Sequence, residues 1–192
     1  MHMRWFGDSY DIVKQQLIRW LEPFGEWAVH PMLTESASEG EVDAFQRFIG
    51  ARVISTDVLT SHTQRESYFS CAMGCKNLFL DPDTGLKIGK KQSPSPKHLF
   101  EDDLVYLCDR RPKSLTLVFD QSLGRGRREE DIGRKLSQIE AEGISCVAYV
   151  SHACFILCSR DKELTEKALK TVIAKSRLPE GRFLRGEAYS RK

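Results

Sequence analysis

No apolar run in this chain is long enough to cross a bilayer. The longest, residues 146–158, is interrupted by Ser151 and His152 and falls short of the roughly 20 residues a spanning helix needs. No secretory signal precedes it, so a cytoplasmic protein without a membrane partner is expected. The six cysteines form no C-x-x-C pair. That excludes the common zinc and thioredoxin spacings and leaves buried, reduced thiols as the reading. His30, His62, His98 and His152 make no H-x-x-H or H-x-x-x-H pair, so a helical zinc site is not expected. A G-x-S-x-G elbow is missing as well, which disfavours a serine hydrolase of that type. No internal repeat is visible. Charge of one sign is also lacking: 29 basic against 27 acidic residues give a net charge of only +2 over 192 residues. Any hold on nucleic acid must therefore come from local clusters. Met1-His2 ahead of Met3 reads as a cloning remnant and carries no structural weight.

What is present is alternation. Residues 8–21 carry Ile12, Val13, Leu17, Ile18, Trp20 and Leu21 at helical spacing behind Asp8, an N-cap residue type, and Pro23 and Gly25 end the run. Residues 27–33 read as a strand whose pairing Pro31 ends early. A polar loop at 36–40 leads into a short helix over 42–50, closed by Gly50. A β-branched strand over 52–58 follows, then a helix over 63–75 with Tyr68, Cys71, Ala72 and Cys75 on one face. The strand 77–81 comes next. Residues 85–97 hold Gly, Pro, Ser and Lys without periodicity and read as a mobile surface loop. Beyond it lie a helix over 98–110, a strand over 115–119 and a helix over 128–142. Strands 144–150 and 153–158 are separated only by Ser151-His152, the spacing of an antiparallel hairpin. A last helix covers 161–176. After Pro179 a basic tail is expected to be loose, with Phe183 and Leu184 available to dock. The pattern predicts one α/β domain over 7–178 and a basic tail over 179–192. The domain is a mostly parallel sheet with helices on both faces and a C-terminal antiparallel strand pair. Strands 27–30, 77–81 and 115–119 are expected to be parallel and central.

The strand at 77–81 ends in Asp81-Pro82-Asp83-Thr84-Gly85. Ligands of open α/β sheets bind where strands end, at their carboxyl edge, so Asp81 and Asp83 mark the place for chemistry. Two motifs then carry a family resemblance. The order helix, strand, helix, antiparallel pair looks like the second half of the Rossmann-like methyltransferase fold, whose fourth strand ends in D-P-P-Y or N-P-P-Y in adenine-N6 enzymes. Asp81-Pro82-Asp83-Thr84 stands at that place. The start Gly7-Asp8-Ser9-Tyr10-Asp11-Ile12-Val13-Lys14 resembles the G-N/D-x-x-D-x-x-K helix start of small ribosomal-RNA adenine methyltransferases. The stretch Phe79–Leu86 is similar to small uncharacterised bacterial proteins carrying F-L-D-P-D-x-G-L. The resemblance implies a bacterial enzyme acting on nucleic acid or a nucleotide, S-adenosylmethionine as cofactor, Asp81 orienting the methyl acceptor, and Asp8, Asp11 and Lys14 near the substrate pocket. The family holds its cofactor in a glycine-rich loop after the first strand. Here His30-Pro-Met-Leu-Thr-Glu-Ser36 follows, with no glycine before Gly40.

The residues leave other readings open. An alternate-residue aspartate pair suits Mg²⁺. It resembles the Asp-x-Asp of Toprim phosphodiester enzymes, with Glu35 as counterpart of their upstream glutamate. Asp81 and Asp83 also fit a plain turn, and Asp11 with Lys14 fits an exposed intrahelical pair. Two basic loops, holding Lys87, Lys90, Lys91 and Lys97 in one and Arg125, Arg127 and Arg128 in the other, should leave the same sheet edge as a rim for phosphates. A third reading is therefore a non-catalytic nucleic-acid-binding module that kept the fold. Asp120-Gln121 adds polar groups at that edge, His152 belongs to the hairpin turn, and Cys71 and Cys75 are packing residues.

Overall fold

A computed structural model describes residues 6–89, 95–124 and 126–186. The strands are β1 (Trp27–His30), β2 (Arg52–Val53), β3 (Asn77–Leu80), β4 (Gly85–Lys87), β5 (His98–Phe100), β6 (Thr116–Asp120), β7 (Ser145–Val150), β8 (Cys154–Ser159) and β9 (Phe183–Leu184). The helices are α1 (Ser9–Leu21), α2 (Glu39–Ile49), α3 (Arg65–Tyr68), α4 (Glu101–Arg110), α5 (Arg128–Ala141) and α6 (Lys162–Ser176). The main sheet runs β2-β1-β3-β6-β8-β7-β9. Pairs β1–β2, β1–β3 and β3–β6 are parallel, while β6–β8, β7–β8 and β7–β9 are antiparallel. The three strands expected at the centre are there. The expected hairpin closes back so that β8 lies between β6 and β7. This is a Rossmann-like α/β architecture.

Period-two alternation divides the strands between two cores. Ala28, Leu78, Leu80, Val118, Ala148 and Ile156 face α3, α4 and α5. Trp27, Val29, Phe79, Leu117, Phe119, Phe155 and Leu157 face α1, α2 and α6. Both faces are covered, so the long strands are apolar except at their ends, as in other sheets buried on both faces. Helix starts follow the expected chemistry. Asp8 caps α1, Ser38 and Glu41 form a capping box on α2, Asp161 caps α6, and Gly50 ends α2 in the left-handed conformation.

Four expectations need correction. The strand at 52–58 shrinks to Arg52–Val53, because the chain leaves the sheet after Ile54 N bonds to Val29 O. The helix at 63–75 is one α-turn followed by a 3-10 turn at Ser70–Ala72. Adjacent side chains on a regular helix point about 100° apart; tightening after Tyr68 lets Tyr68, Phe69 and Ala72 all enter one core. Within the expected loop 85–97, Gly85–Lys87 forms β4. It pairs in parallel with His98–Phe100, a segment expected to be helical, and buries Leu86 against Leu99. Helix α4 starts only at Glu101, with Asp103 accepting from Phe100 N at 2.8 Å. Finally, the tail after Pro179 is not loose throughout: Phe183–Leu184, the two residues available to dock, pair as a strand with β7, and the Phe183 ring lies 5.5 Å from that of Tyr149. Residues 90–94, 125 and 187–192 lie outside the described residues.

Gly85 joins the small sheet to the large one. Its φ of +129° suits glycine, and a Cβ there would fall on the Asp120 carboxylate and 2.8 Å from the Gln121 nitrogen. Gly85→Ala is expected to cost about 2–4 kcal/mol, since backbone strain and overpacking add. Gly40→Ala, in helix α2 with open space around it, should be neutral or slightly stabilising. Urea denaturation of both variants checks the contrast; equal midpoints would show that the approach at Gly85 does not matter.

Candidate functional site

Asp8 sets the start of α1 by accepting from Tyr10 N (2.8 Å) and Asp11 N (3.1 Å). That phase points Asp11 and Lys14 inward, onto the end of β3. Lys14 Nζ donates to Asp11 Oδ1 at 2.8 Å and to Asp81 Oδ2 at 2.9 Å. Asp11 Oδ2 accepts from Gly7 N at 2.8 Å, and the ammonium sits 4.4 Å over the Phe119 ring. Asp11, Lys14 and Asp81 are 2%, 5% and 1% exposed. Asp11 and Lys14 are therefore not an exposed surface pair. The two motifs of the resemblance, 67 residues apart at Lys14 and Asp81, meet in one buried triad. Burial alone would lower the Lys14 pKa, but Asp81 and Asp11 more than offset this and hold it above its ordinary value. Burial raises Asp81 by more than Lys14 lowers it. Two carboxylates share one ammonium, and the low-dielectric surroundings favour the arrangement with fewer charges.

A second buried pair ends β6. Lys135 Nζ donates to Asp120 Oδ2 (2.6 Å), Leu86 O (2.7 Å) and Ser122 Oγ (2.6 Å). Asp120 Oδ1 accepts from Leu86 N (3.1 Å), Ser122 N (3.0 Å) and Ser122 Oγ (2.7 Å). This pair joins β6, α5 and the small sheet. The sequence points to Asp120 but not to Lys135. The available signal was its position: Lys135 lies on the inward stripe with Ile132, Leu136 and Ile139, as Lys14 lies with Leu17, Ile18 and Leu21. A lysine on a buried helical face requires a buried partner.

The rim residues have less company. Lys97, Arg127 and Arg128 are exposed and Lys87 is half-buried. Arg128 donates to the Ser151 carbonyl, which ties its loop to the β7–β8 turn, where exposed His152 lies 5.2 Å from the Tyr10 ring. Lys90, Lys91 and Arg125 lie outside the described residues. His98, whose Nδ1 is 3.0 Å from Ser95 Oγ, has its pKa lowered by burial and then by Lys87 and Lys135. Asp83 is half-buried and Glu35 exposed.

Neither expected cofactor fits the residues that would hold it. After β1 the chain fills its own loop: Met32 and Leu33 are fully buried, and Met32 takes a left-handed φ of 47° without being glycine. His30 Nδ1 accepts from Met32 N at 3.3 Å, and the ring packs on Tyr68 and Phe69. Burial lowers its pKa to about 4, so the imidazole is neutral. Side chains thus occupy the place where a glycine-rich cradle would leave bare backbone for S-adenosylmethionine. At Asp81 the Lys14 ammonium already fills the role of a cation, and among the described residues no three His, Cys, Asp or Glu side chains group to hold a metal. No protein-family model matches the chain, and no curated protein or solved structure matches it significantly.

The triad's linkage to pH has a definite sign. The raised Lys14 pKa contributes stability that is present below the ordinary lysine value and lost as pH rises through the raised one. The raised Asp81 pKa likewise favours the fold at low pH, and that contribution is lost as pH rises through its folded value. Lys14→Met should leave two buried carboxylates unpaired and cost about 3–5 kcal/mol at pH 7. Asp81→Asn keeps the Asp11–Lys14 pair and should cost less. Denaturant titrations at pH 7 and pH 4.5 check this: the Lys14→Met deficit should shrink at the lower pH, where carboxylates protonate. A deficit independent of pH, or equal in the two variants, would contradict it.

Proposed function

We propose that the protein is a nucleic-acid- or nucleotide-binding module on a degenerate methyltransferase-like fold, with the ligand's phosphates held by the basic rim at the carboxyl edge of the sheet. One observation carries this reading. Asp81, at the position where the resemblance implies an acceptor-orienting group, is 1% exposed and bound to Lys14. Its carboxylate supports the strand end and has no path to a substrate. The rim supplies affinity by ion pairing and counterion release, which requires no base readout. Lys87, Lys97 and Arg127 flank this edge. Lys90, Lys91 and Arg125 belong by sequence to the same two loops.

A second reading, a catalytic methyltransferase on nucleic acid, is favoured by the direct contact of the two resembling motifs and by the insertion of β8 between β6 and β7. Under it S-adenosylmethionine would have to be held without the loop after β1, and Asp11, Lys14 and Asp81 would shape the pocket wall.

Binding of a fluorescent single-stranded RNA across a salt series tests the first reading. Affinity should fall linearly on a log–log scale. Replacing Arg125, Arg127 and Arg128 with alanine should weaken binding and flatten the slope by about 2, at roughly 0.7 for each phosphate that no longer has a cation beside it. Absence of binding at low salt, or an unchanged slope, would overturn the rim. Calorimetry against S-adenosylmethionine separates the readings: no heat is expected from a binding module, whereas saturable heat would favour the enzyme.

A further inference from the structure

A column of aromatic rings leads from the core to the carboxyl edge of the sheet. Between ring centroids, Phe155 lies 5.2 Å from Phe119, Phe119 lies 5.7 Å from Tyr10, and Tyr10 lies 5.2 Å from His152. Phe155 and Phe119 are buried, Tyr10 is half-buried and His152 is exposed. The inner part of the column is held by the frame of this edge. Asp8 accepts from Tyr10 N at 2.8 Å and so fixes Tyr10 in the first turn of α1. The Lys14 ammonium lies 4.4 Å over the Phe119 ring. The outer end is held by the turn between β7 and β8. Ser151 N and Ser151 Oγ donate to Ala153 O at 2.9 Å and 3.0 Å, and Ala153 N donates to Ser151 Oγ at 3.2 Å. The Ser151 carbonyl accepts from Arg128. The neighbours of His152 thus make the bonds that shape the turn. Among the described residues the imidazole itself has no hydrogen-bond partner; it contacts the Tyr10 ring at an angle of 32°.

The register places this ring at the basic rim. Cys154 pairs with Asp120, so the turn lies just beyond the carboxyl end of β6. Exposed Arg127 and Arg128 stand where α5 begins, and Arg128 bonds the turn directly. We propose that the outer face of the His152 imidazole is a base-stacking subsite, and that the ligand of this edge is single-stranded nucleic acid. The proposal rests on the reading of the rim as a phosphate site. The arginines take the sugar–phosphate backbone, and an unpaired base continues the column of rings outward. Base–aromatic stacking tolerates any sequence, because every base has a π face. A duplex keeps its bases stacked on one another and offers only their edges, so it cannot cover the imidazole. The inner face of His152 already rests on Tyr10, which reduces the rotamer freedom lost when a base stacks on the outer face.

Binding of the full chain to fluorescent oligodeoxyadenylate and to an abasic strand of equal length tests this, since the two carry the same phosphates. The strand with bases should bind about fivefold tighter or more. His152→Ala should abolish that difference and leave the salt slope unchanged, while His152→Phe should keep it. Equal binding of the two strands to the wild type, or a His152→Ala variant that still prefers bases, would overturn the platform and leave the rim standing. Absence of binding to both strands at low salt would refute the rim itself. Titration with adenosine monophosphate, followed by nuclear magnetic resonance of the histidine ring protons, then decides the platform separately. The His152 ring protons should move upfield under the base's ring current, and those of exposed His62 should not. Equal shifts at the two histidines would reject the stacking subsite.

Discussion

The ammonium of Lys14 reaches from a helix on one face of the sheet to the end of a central strand, and the geometry of the carboxyl edge depends on that contact. A lysine and two aspartates almost fully removed from water are tolerable only if each meets a partner. Because they do, the start of α1, the end of β3 and the Asp-Pro-Asp-Thr-Gly turn cannot move independently. Lys135 and Asp120 do the same from the other face, binding the end of β6, the start of the small sheet and α5. The two ion clusters thus clamp the edge from opposite layers. Each is net neutral or singly negative, and the basic residues of the rim are not part of either.

This division of labour bears on function. Residues whose chemistry stands out in the sequence, Asp81 above all, are occupied in holding the frame. Residues of no catalytic character, Lys97, Arg127 and Arg128 of the loops, are those that face solvent. A phosphate-bearing ligand matches the second set. The side-chain-filled loop after β1 and the committed carboxylate of Asp81 are two independent departures from methyltransferase chemistry, and both point toward binding without that chemistry.

Much of the fold is legible in the sequence because the strands and long helices follow simple periodicities. The apolar stripe of 8–21, the N-cap at Asp8 and the two-residue gap at Ser151-His152 each specify local geometry without help from the rest of the chain. The elements that are not legible are short and defined by tertiary contact. Gly85–Lys87 is a strand only because His98–Phe100 lies beside it, and Phe183–Leu184 only because β7 offers an edge. The helix at 63–75 breaks because two adjacent aromatics both need the same core, a demand that periodicity cannot register. The site is half legible. Asp81, Asp11 and Lys14 stand out by motif, but their union does not, since sequence spacing says nothing about a partner 67 residues away. Lys135 carries only the weak signal of a charge on an apolar stripe.

The central claim is that the carboxyl edge is a rigid, ion-clamped frame. Native-state amide hydrogen exchange at Leu86 and Ser122 measures it most directly, because both amides donate to Asp120 Oδ1. The account predicts that these two exchange with the slowest class of the central strands, through global unfolding alone, despite lying beyond the ends of the central strands β3 and β6. Exchange through local opening, at rates typical of surface loops, would mean that the buried lysine–aspartate pairs do not hold this edge together, and the structural role assigned to them here would be wrong.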